Sequence, residues 1–329
     1  MPERFYAAAG LEGIGMDSEQ KALERIKTAS GMSLGYYGQP LICTYSGGKD
    51  SDVMLELFKR SGIPFEVHHS HTTADAPQTV YHVRKVFRRL ELEGVKCTID
   101  YHVQLDGSRV TMWDLIIKKL MPPTRKARYC CSVLKESGTP NRMIATGIRW
   151  DESNARKERE SFEVIAPKKK DAVHVSDEKM LLTDNGDRRM LFERCGMKAE
   201  TVVNPIIDWK DREIWDFYQD ECPCHNPLYS MGFTRVGCIG CPMAGKGRWK
   251  EFREFPKYKD MYIKAFGRML QAGRERGLGL TNEICKEWKS GEDVFLWWME
   301  DKNINGQMEL EFDGTDIKGI KERRELVRA

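Results

Sequence analysis

Six consecutive residues, Ser46-Gly47-Gly48-Lys49-Asp50-Ser51, bring together two permissive glycines, two hydroxyls, a cation and a carboxylate. They follow an apolar run, Leu41-Ile42-Cys43-Thr44-Tyr45, and open a helix-like one, Val53-Met54-Leu55-Glu56-Leu57-Phe58. A strand, a Gly-rich turn and a helix start form an anion site. The glycines let backbone approach a ligand, and the N–H groups at the helix N-terminus point at phosphate oxygens along a favourable dipole. Ser46 and Ser51 add donors, and Lys49 adds a mobile positive charge. Asp50 beside bound phosphates needs a cation between them, which assigns it to magnesium or to ordering the loop. Replacing Gly48 by Val should abolish binding, through bulk and also through strain if that glycine is left-handed. A plain surface turn is the commoner fate of Gly-Gly, but it does not call for so many donors. The pattern is not the Walker one, which has four residues between its glycines.

Cysteines form the second constellation. Arg128-Tyr129-Cys130-Cys131-Ser132-Val133-Leu134-Lys135-Glu136 carries an adjacent pair, and Gly237-Cys238-Ile239-Gly240-Cys241-Pro242 a C-x-x-C turn. Together Cys130, Cys131, Cys238 and Cys241 complete a four-thiolate set. Adjacent cysteines suit an iron–sulfur cube, whose irons are separate atoms, better than one tetrahedral zinc. A local rival exists, because Glu221-Cys222-Pro223-Cys224-His225 would let Cys222, Cys224, Cys238 and Cys241 bind zinc. Cys43, Cys195 and Cys285 read as core thiols.

The elements around these residues follow from periodicity. Pro64–His69, Lys96–Val103 and Arg142–Ile148 read as strands. A helix starts at Pro77, with Val80, Val83, Phe87 and Leu90 on one face, and another covers Thr111–Leu120. Asp17-Ser18-Glu19-Gln20 looks like a capping box for a helix to about Lys27, with Gly31, Gly35 and Gly38 loosening the chain after it. Alternating strands and helices imply an α/β fold: a parallel twisted sheet with helices on both faces, followed by a C-terminal helical and Cys-rich region. The first loop then lies at the carboxyl end of its strand, where open sheets bind ligands. Polar sequence from Ile165 to Val202 reads as an insertion, and Lys257 to about Arg274 as a long amphipathic helix.

With 329 residues, 40% of them hydrophobic, the chain has a prior of about two domains. Its 53 Lys and Arg against 50 Asp and Glu give no global field for nucleic acid. The first residues lack a signal-peptide core, and no apolar run nears the roughly 20 residues of a membrane helix. A cytoplasmic protein with no membrane partner is expected, and its ten cysteines are then thiols, metal ligands or redox groups rather than structural disulfides.

The loop resembles the SGGxDS pyrophosphate loop of the adenine nucleotide alpha hydrolase superfamily, also called PP-loop ATP pyrophosphatases. Cys-Cys far upstream of Cys-x-x-Cys is similar to the cluster pattern of adenylyl-sulfate reductases in the phosphoadenosine phosphosulfate (PAPS) reductase family. Asn204-Pro205-Ile206-Ile207-Asp208-Trp209, Ile214-Trp215, Asn226-Pro227-Leu228-Tyr229 and Gly232-Phe233 look like that family's C-terminal signature in order. Thr146-Gly147-Ile148-Arg149-Trp150-Asp151-Glu152-Ser153, with Arg156, resembles its second nucleotide loop, and Ala76-Pro77-Gln78-Thr79 its Pro-Glu-Thr helix start. The resemblance implies residues 1–38 as an N-terminal helical appendage, 39–246 as the PP-loop domain with an insertion near 165–202, and 247–329 as a helical region.

Two departures set the function. Sulfonucleotide reductases usually have a degenerate first loop, and here it is intact. They also carry a nucleophilic cysteine in Glu-Cys-Gly-x-His, whereas Cys285 has neither the glycine nor the histidine. The chain looks closer to iron–sulfur members associated with DNA phosphorothioation and to phage relatives. This implies ATP with magnesium, a 4Fe-4S cluster on Cys130, Cys131, Cys238 and Cys241, and sulfur transfer to an adenylated acceptor. Ser46, Gly47, Gly48, Lys49, Asp50, Ser51, Gly147, Arg149 and Arg156 would contact the nucleotide, with Lys49 and Asp50 catalytic. For Arg149 and Arg156, surface ion pairs with Asp151, Glu152 or Glu158 weigh equally. The acceptor is left open among DNA, tRNA and a small molecule, and a donor such as a cysteine desulfurase is implied. The alternatives are a thioredoxin-dependent sulfonucleotide reductase and a non-catalytic nucleotide-sensing or nucleic-acid-binding module. For the latter, Lys246, Arg248, Trp249, Lys250, Phe252, Arg253, Lys257 and Tyr258 interleave bases with aromatics. A packed amphipathic helix gives the same pattern and is favoured.

Overall fold

A computed structural model describes residues 17–104, 107–135, 139, 141–152, 156–157, 159–164, 201–277 and 288–300. Its centre is a six-stranded sheet of β1 (Leu41–Thr44), β2 (Phe65–Ser70), β3 (Lys96–Asp100), β4 (Met143–Ala145), β5 (Phe162–Val164) and β6 (Thr201–Val203). The strand order is β3-β2-β1-β4-β6-β5. All neighbours are parallel except β5, which runs antiparallel to β6. The central strands are buried nearly throughout, which is why they read as apolar runs without alternation. The mostly parallel sheet is the expected one, and the antiparallel edge strand is an addition to it, three residues being too few to show a strand period.

Helix α1 (Ser18–Tyr37) starts at Asp17, whose side chain accepts from the Gln20 N–H, and ends at the left-handed Gly38. The helix therefore runs a full ten residues past the expected Lys27, with Gly31 and Gly35 inside it. Each internal glycine costs about 1 kcal/mol, but Ala22, Ile26 and Ala29 are wholly buried in the core and that packing prevails. Helix α2 (Lys49–Ser61) opens at the glycine loop and stops at left-handed Gly62, while α3 (Pro77–Leu92) has proline in its first turn. Thr111 caps α4 (Met112–Lys119).

The remaining helices are α5 (Tyr129–Leu134), α6 (Asp211–Glu221), α7 (Pro227–Ser230), α8 (Gly247–Glu254), α9 (Pro256–Glu275) and α10 (Gly291–Met299). Residues 165–200 of the expected insertion, with Cys195, lie outside the described residues, as does Cys285; Thr201–Val203 is strand β6.

Two large cores result. The first joins α1, α2 and α3 to the sheet through residues such as Ile26, Leu57, Phe58 and Phe87. The second packs α4, α5, α9 and α10 around Tyr262, Phe266 and Trp298 and includes Cys238. From β1 the chain steps outward through β2 to β3, then returns to place β4 on the other side of β1. That reversal makes the carboxyl ends of β1 and β4 a topological switch point. No described helix is long and apolar enough to cross a membrane.

Candidate nucleotide and cysteine site

The loops after β1 and β4 flank the switch point, and they carry Ser46–Ser51 and Thr146–Arg149 respectively. Gly47, at φ 75°, is the left-handed residue of the first loop, whereas Gly48 has an ordinary φ of −99°. A side chain on Gly47 would meet Val83 Cγ2 at 3.0 Å and Thr79 Cγ2 at 3.2 Å. The strain expected at Gly48 therefore belongs to its neighbour. The Gly47 carbonyl accepts from Asn226 Nδ2 at 2.7 Å, and that amide also reaches Thr79 Oγ1 at 3.1 Å. Tyr229 hydroxyl accepts the Lys49 N–H at 2.8 Å, and Ser51 Oγ accepts the Gly48 N–H at 3.1 Å. Two donors expected to face an anion thus have protein partners. The Asn226-Pro227-Leu228-Tyr229 motif is a brace for the loop.

Beside the loop, Arg149 is 2% exposed and donates from Nε to Asp50 Oδ1 at 2.6 Å and from Nη2 to Asp211 Oδ1 at 3.0 Å. Lys49 Nζ lies 3.0 Å from Asp50 Oδ2 and 3.2 Å from Asp211 Oδ1. Two cations and two carboxylates form one network. Burial pushes the Asp211 carboxyl up, but Lys49 and Arg149 outweigh it and hold it below its ordinary value. A side chain at Gly147 would lie 3.5 Å from the Asp50 backbone, so the second loop touches the first. Arg149 is thus no surface ion pair. Arg156 pairs with Glu152, whose Oε2 also accepts the Arg149 N–H at 3.2 Å, and so reaches the four-residue network through one carboxylate.

The sequence reading missed Asp211, Asn226 as a loop brace, and a buried network around Asp52. Tyr45 hydroxyl donates to Asp52 Oδ1 at 2.5 Å, and His82 Nε2 lies 2.9 Å from that hydroxyl and 3.2 Å from the same carboxylate oxygen. Tyr45 precedes the loop and Asp52 follows it, so this network ties the loop's ends together. The signal available was an acidic residue in the apolar face of α2.

The two cysteine motifs meet across the second core. Cys131, Cys238 and Cys241 are close enough to act electrostatically on Cys130. Its neighbour Cys130, then Lys135 and Arg128, draw Cys131 well below the ordinary thiol value, while burial pushes Cys238 up to about 12. Cys238, then Cys131, Asp75 and Cys241, raise the Lys135 ammonium in turn. Thr72 Oγ1 is 3.2 Å from Cys238 Sγ, and Arg128 Nη2 donates to Cys131 Sγ at 3.6 Å. Gly240, at φ 76°, has no room for a side chain, which would meet Phe252 at 2.6 Å and Tyr262 and Trp298 at 2.9 Å.

Among the described residues no three His, Cys, Asp or Glu side chains are gathered tightly enough for a single metal ion. A cube's thiolates bind separate irons and stand further apart than the ligands of one ion. Cys222 and Cys224 pack with the first core and Cys238 and Cys241 with the second, so the zinc rival loses its geometry. The phosphate loop and the cysteine turn are adjacent: a side chain on Gly48 would lie 3.6 Å from Val236, two residues before Cys238.

Residues 40–244 match the phosphoadenosine phosphosulfate reductase domain. The chain belongs to this family. Relatives of the PAPS reductase domain found here include an uncharacterised protein of Methanocaldococcus jannaschii, 25% identical over 256 residues, covering 75% of this chain and 50% of the relative. An adenosine 5'-phosphosulfate reductase of Bacillus mycoides is 20% identical over 230 residues, covering 65% of this chain and 80% of that protein. The chain spans half or less of the length of the first curated relatives it matches. Among solved structures, the U34-tRNA thiolase NcsA of Methanococcus maripaludis with its [4Fe-4S] cluster aligns over 82% of each chain at 15% identity, with a TM-score of 0.35.

Much of the basic and aromatic stretch after the cysteine turn is packed. Arg248 is fully buried with Nη1 on the Trp298 carbonyl at 3.0 Å, Phe252 lies in the second core, and Tyr258 hydroxyl donates to the Asp75 carbonyl at 2.6 Å.

Proposed function

We propose that this PAPS reductase-family chain binds ATP, releases pyrophosphate by adenylating an acceptor, and supports iron–sulfur-dependent sulfur transfer. The observation that carries the reading is the intact glycine loop at the switch point, with Lys49, Asp50, Arg149 and Asp211 converging beside it. In this reading Ser46 to Ser51 hold the phosphates and Gly147 lets the second loop come against them. Lys49 offsets charge that develops on the leaving pyrophosphate. Arg149 holds Asp50 and Asp211 in place, and Arg156 approaches the nucleotide from the rim.

Asp50 and Asp211 make the donor pair that magnesium takes beside substrate phosphates. Magnesium there would supply neutralisation of phosphate charge. The acceptor oxygen attacks the α-phosphorus, the bond to the bridging oxygen breaks, and pyrophosphate leaves. A sulfide equivalent then replaces the adenylated oxygen, and AMP leaves. Where a donor protein such as a cysteine desulfurase delivers the sulfur as a persulfide, the persulfide attacks, and a second thiol breaks the remaining S–S bond and is oxidised to a disulfide.

Cys130, Cys131, Cys238 and Cys241 fit a 4Fe-4S cluster, since two sequence-distant pairs meet in one packed region with Lys135 and Arg128 favouring thiolate. With one cysteine on each iron the cluster would have no vacant position for sulfur, and it would supply redox and electrostatic chemistry beside the loop. The named adenosine 5'-phosphosulfate reductases among the relatives favour a second reading, sulfite release from a sulfonucleotide with thioredoxin. Anaerobically purified protein should release pyrophosphate from ATP, with nucleic-acid and small-molecule acceptors offered in turn, and no sulfite from adenylyl sulfate or PAPS. Thioredoxin-dependent sulfite release would replace the reading with the reductase. Neither product would reduce the chain to a binding module.

A further inference from the structure

The net charge of +3 conceals a strong division along the chain. Residues 115–135 and 226–250, which carry all four cysteines of the proposed cluster, contain ten Lys and Arg and no Asp or Glu. The rest of the chain holds 43 Lys and Arg against 50 Asp and Glu. The fold brings the two acid-free segments together. Arg125 Nε donates to the Pro242 carbonyl at 3.2 Å, and Leu115, Tyr129, Phe233 and Ile239 share the second core.

Some of these cations have structural work. Arg248 is buried, Lys250 Nζ donates to the Met231 and Gly232 carbonyls at 3.0 and 2.6 Å, and Arg128 and Lys135 face the thiols. Arg125 holds the Pro242 carbonyl yet is exposed, as are Lys118, Arg235 and Lys246, of which Arg235 also acts on the Glu251 carboxylate. Charges in solvent are screened within about 8–10 Å, so serving the thiolates does not account for all the basic residues of the two segments. Met231 and Met243, 38% and 39% exposed on the same segments, offer an apolar surface to a base.

We propose that this face around the cysteines binds the sugar–phosphate backbone of a nucleic acid, and that the acceptor is a base in a single-stranded or looped stretch of it. The inference rests on the adenylation reading and names its substrate class. Phosphate contacts of this kind position a strand without reading its sequence.

The test is fluorescence anisotropy with a labelled single-stranded RNA of about 20 nucleotides and its DNA counterpart, across salt concentrations. Four neutralised phosphates predict a slope of about −3 in log affinity against log salt. Replacing Lys118, Arg235 and Lys246 together by Ser should cut the slope by about 2 and weaken binding more than tenfold, with ATP affinity unchanged. Preference for RNA or DNA identifies the polymer. A flat salt dependence, or equal affinity in the triple variant, would overturn the proposal and give the charge to an acidic protein partner. Strand binding with no pyrophosphate release from ATP counts against the adenylation reading and leaves the surface standing.

Discussion

Gly47 and Gly48 are neighbours with different tasks. Gly47 adopts φ 75° under Val83 and Thr79, and a Cβ there would both strain the backbone and press on Val83 at 3.0 Å. Gly48 has an ordinary φ, and its nearest would-be contact is Tyr229 hydroxyl at 3.5 Å. Gly47→Ala should therefore destabilise the protein by at least the roughly 1–2 kcal/mol of a left-handed L-residue. Gly48→Ala should stay within about 0.5 kcal/mol. Urea unfolding of the two variants checks this, and equal losses would contradict it. The loop itself was legible because it packs its chemistry into six residues. Which glycine is left-handed was not, since α3 decides it from some thirty residues away. Asp211 was equally hidden: a lone aspartate opening a helix carries no pattern until Arg149 and Lys49 meet it.

Elements bounded by strong local signals were readable. Pro77 starts α3, Gly62 ends α2, and the α9 periodicity over 257–274 falls within Pro256–Glu275. Elements set by tertiary contact were not, as α1 running through two glycines and the three-residue β5 show. Strand β2 yields a pH prediction. His69 is 4% exposed, with Nδ1 2.8 Å from the Tyr45 carbonyl, and burial lowers its pKa despite the opposing pull of Asp75. The unfolded chain takes up this proton near the ordinary value of 6.5, before the folded chain does. Stability from the neutral imidazole is full above that pH and is lost as pH falls below it. The urea midpoint should drop as pH is lowered from 6.5, and His69→Gln should flatten that drop. An unchanged pH slope in the variant would contradict the assignment.

At the scale of the whole molecule, the switch-point sheet supplies the loops and a second, helical core supplies the cysteine turn, with Gly48 and Val236 at the seam. The sequence order of motifs anticipated this meeting of Cys130 and Cys131 with Cys238 and Cys241. It could not show that the core division strands Cys222 and Cys224 on the other side. Protein prepared without oxygen should be brown with about four irons per chain. Cys131→Ser and Cys241→Ser should each lose the colour, and Cys222→Ser should keep it. A colourless protein holding one zinc that Cys224→Ser releases would contradict this placement.

The proposed role of the intact loop is to hold ATP. Calorimetric titration of the anaerobic protein with ATP and with adenylyl sulfate, at several magnesium concentrations, decides it. ATP should bind more tightly than adenylyl sulfate, and Asp50→Asn should raise the magnesium needed for ATP binding. Tighter binding of adenylyl sulfate, or no binding of ATP at any magnesium concentration, would contradict it.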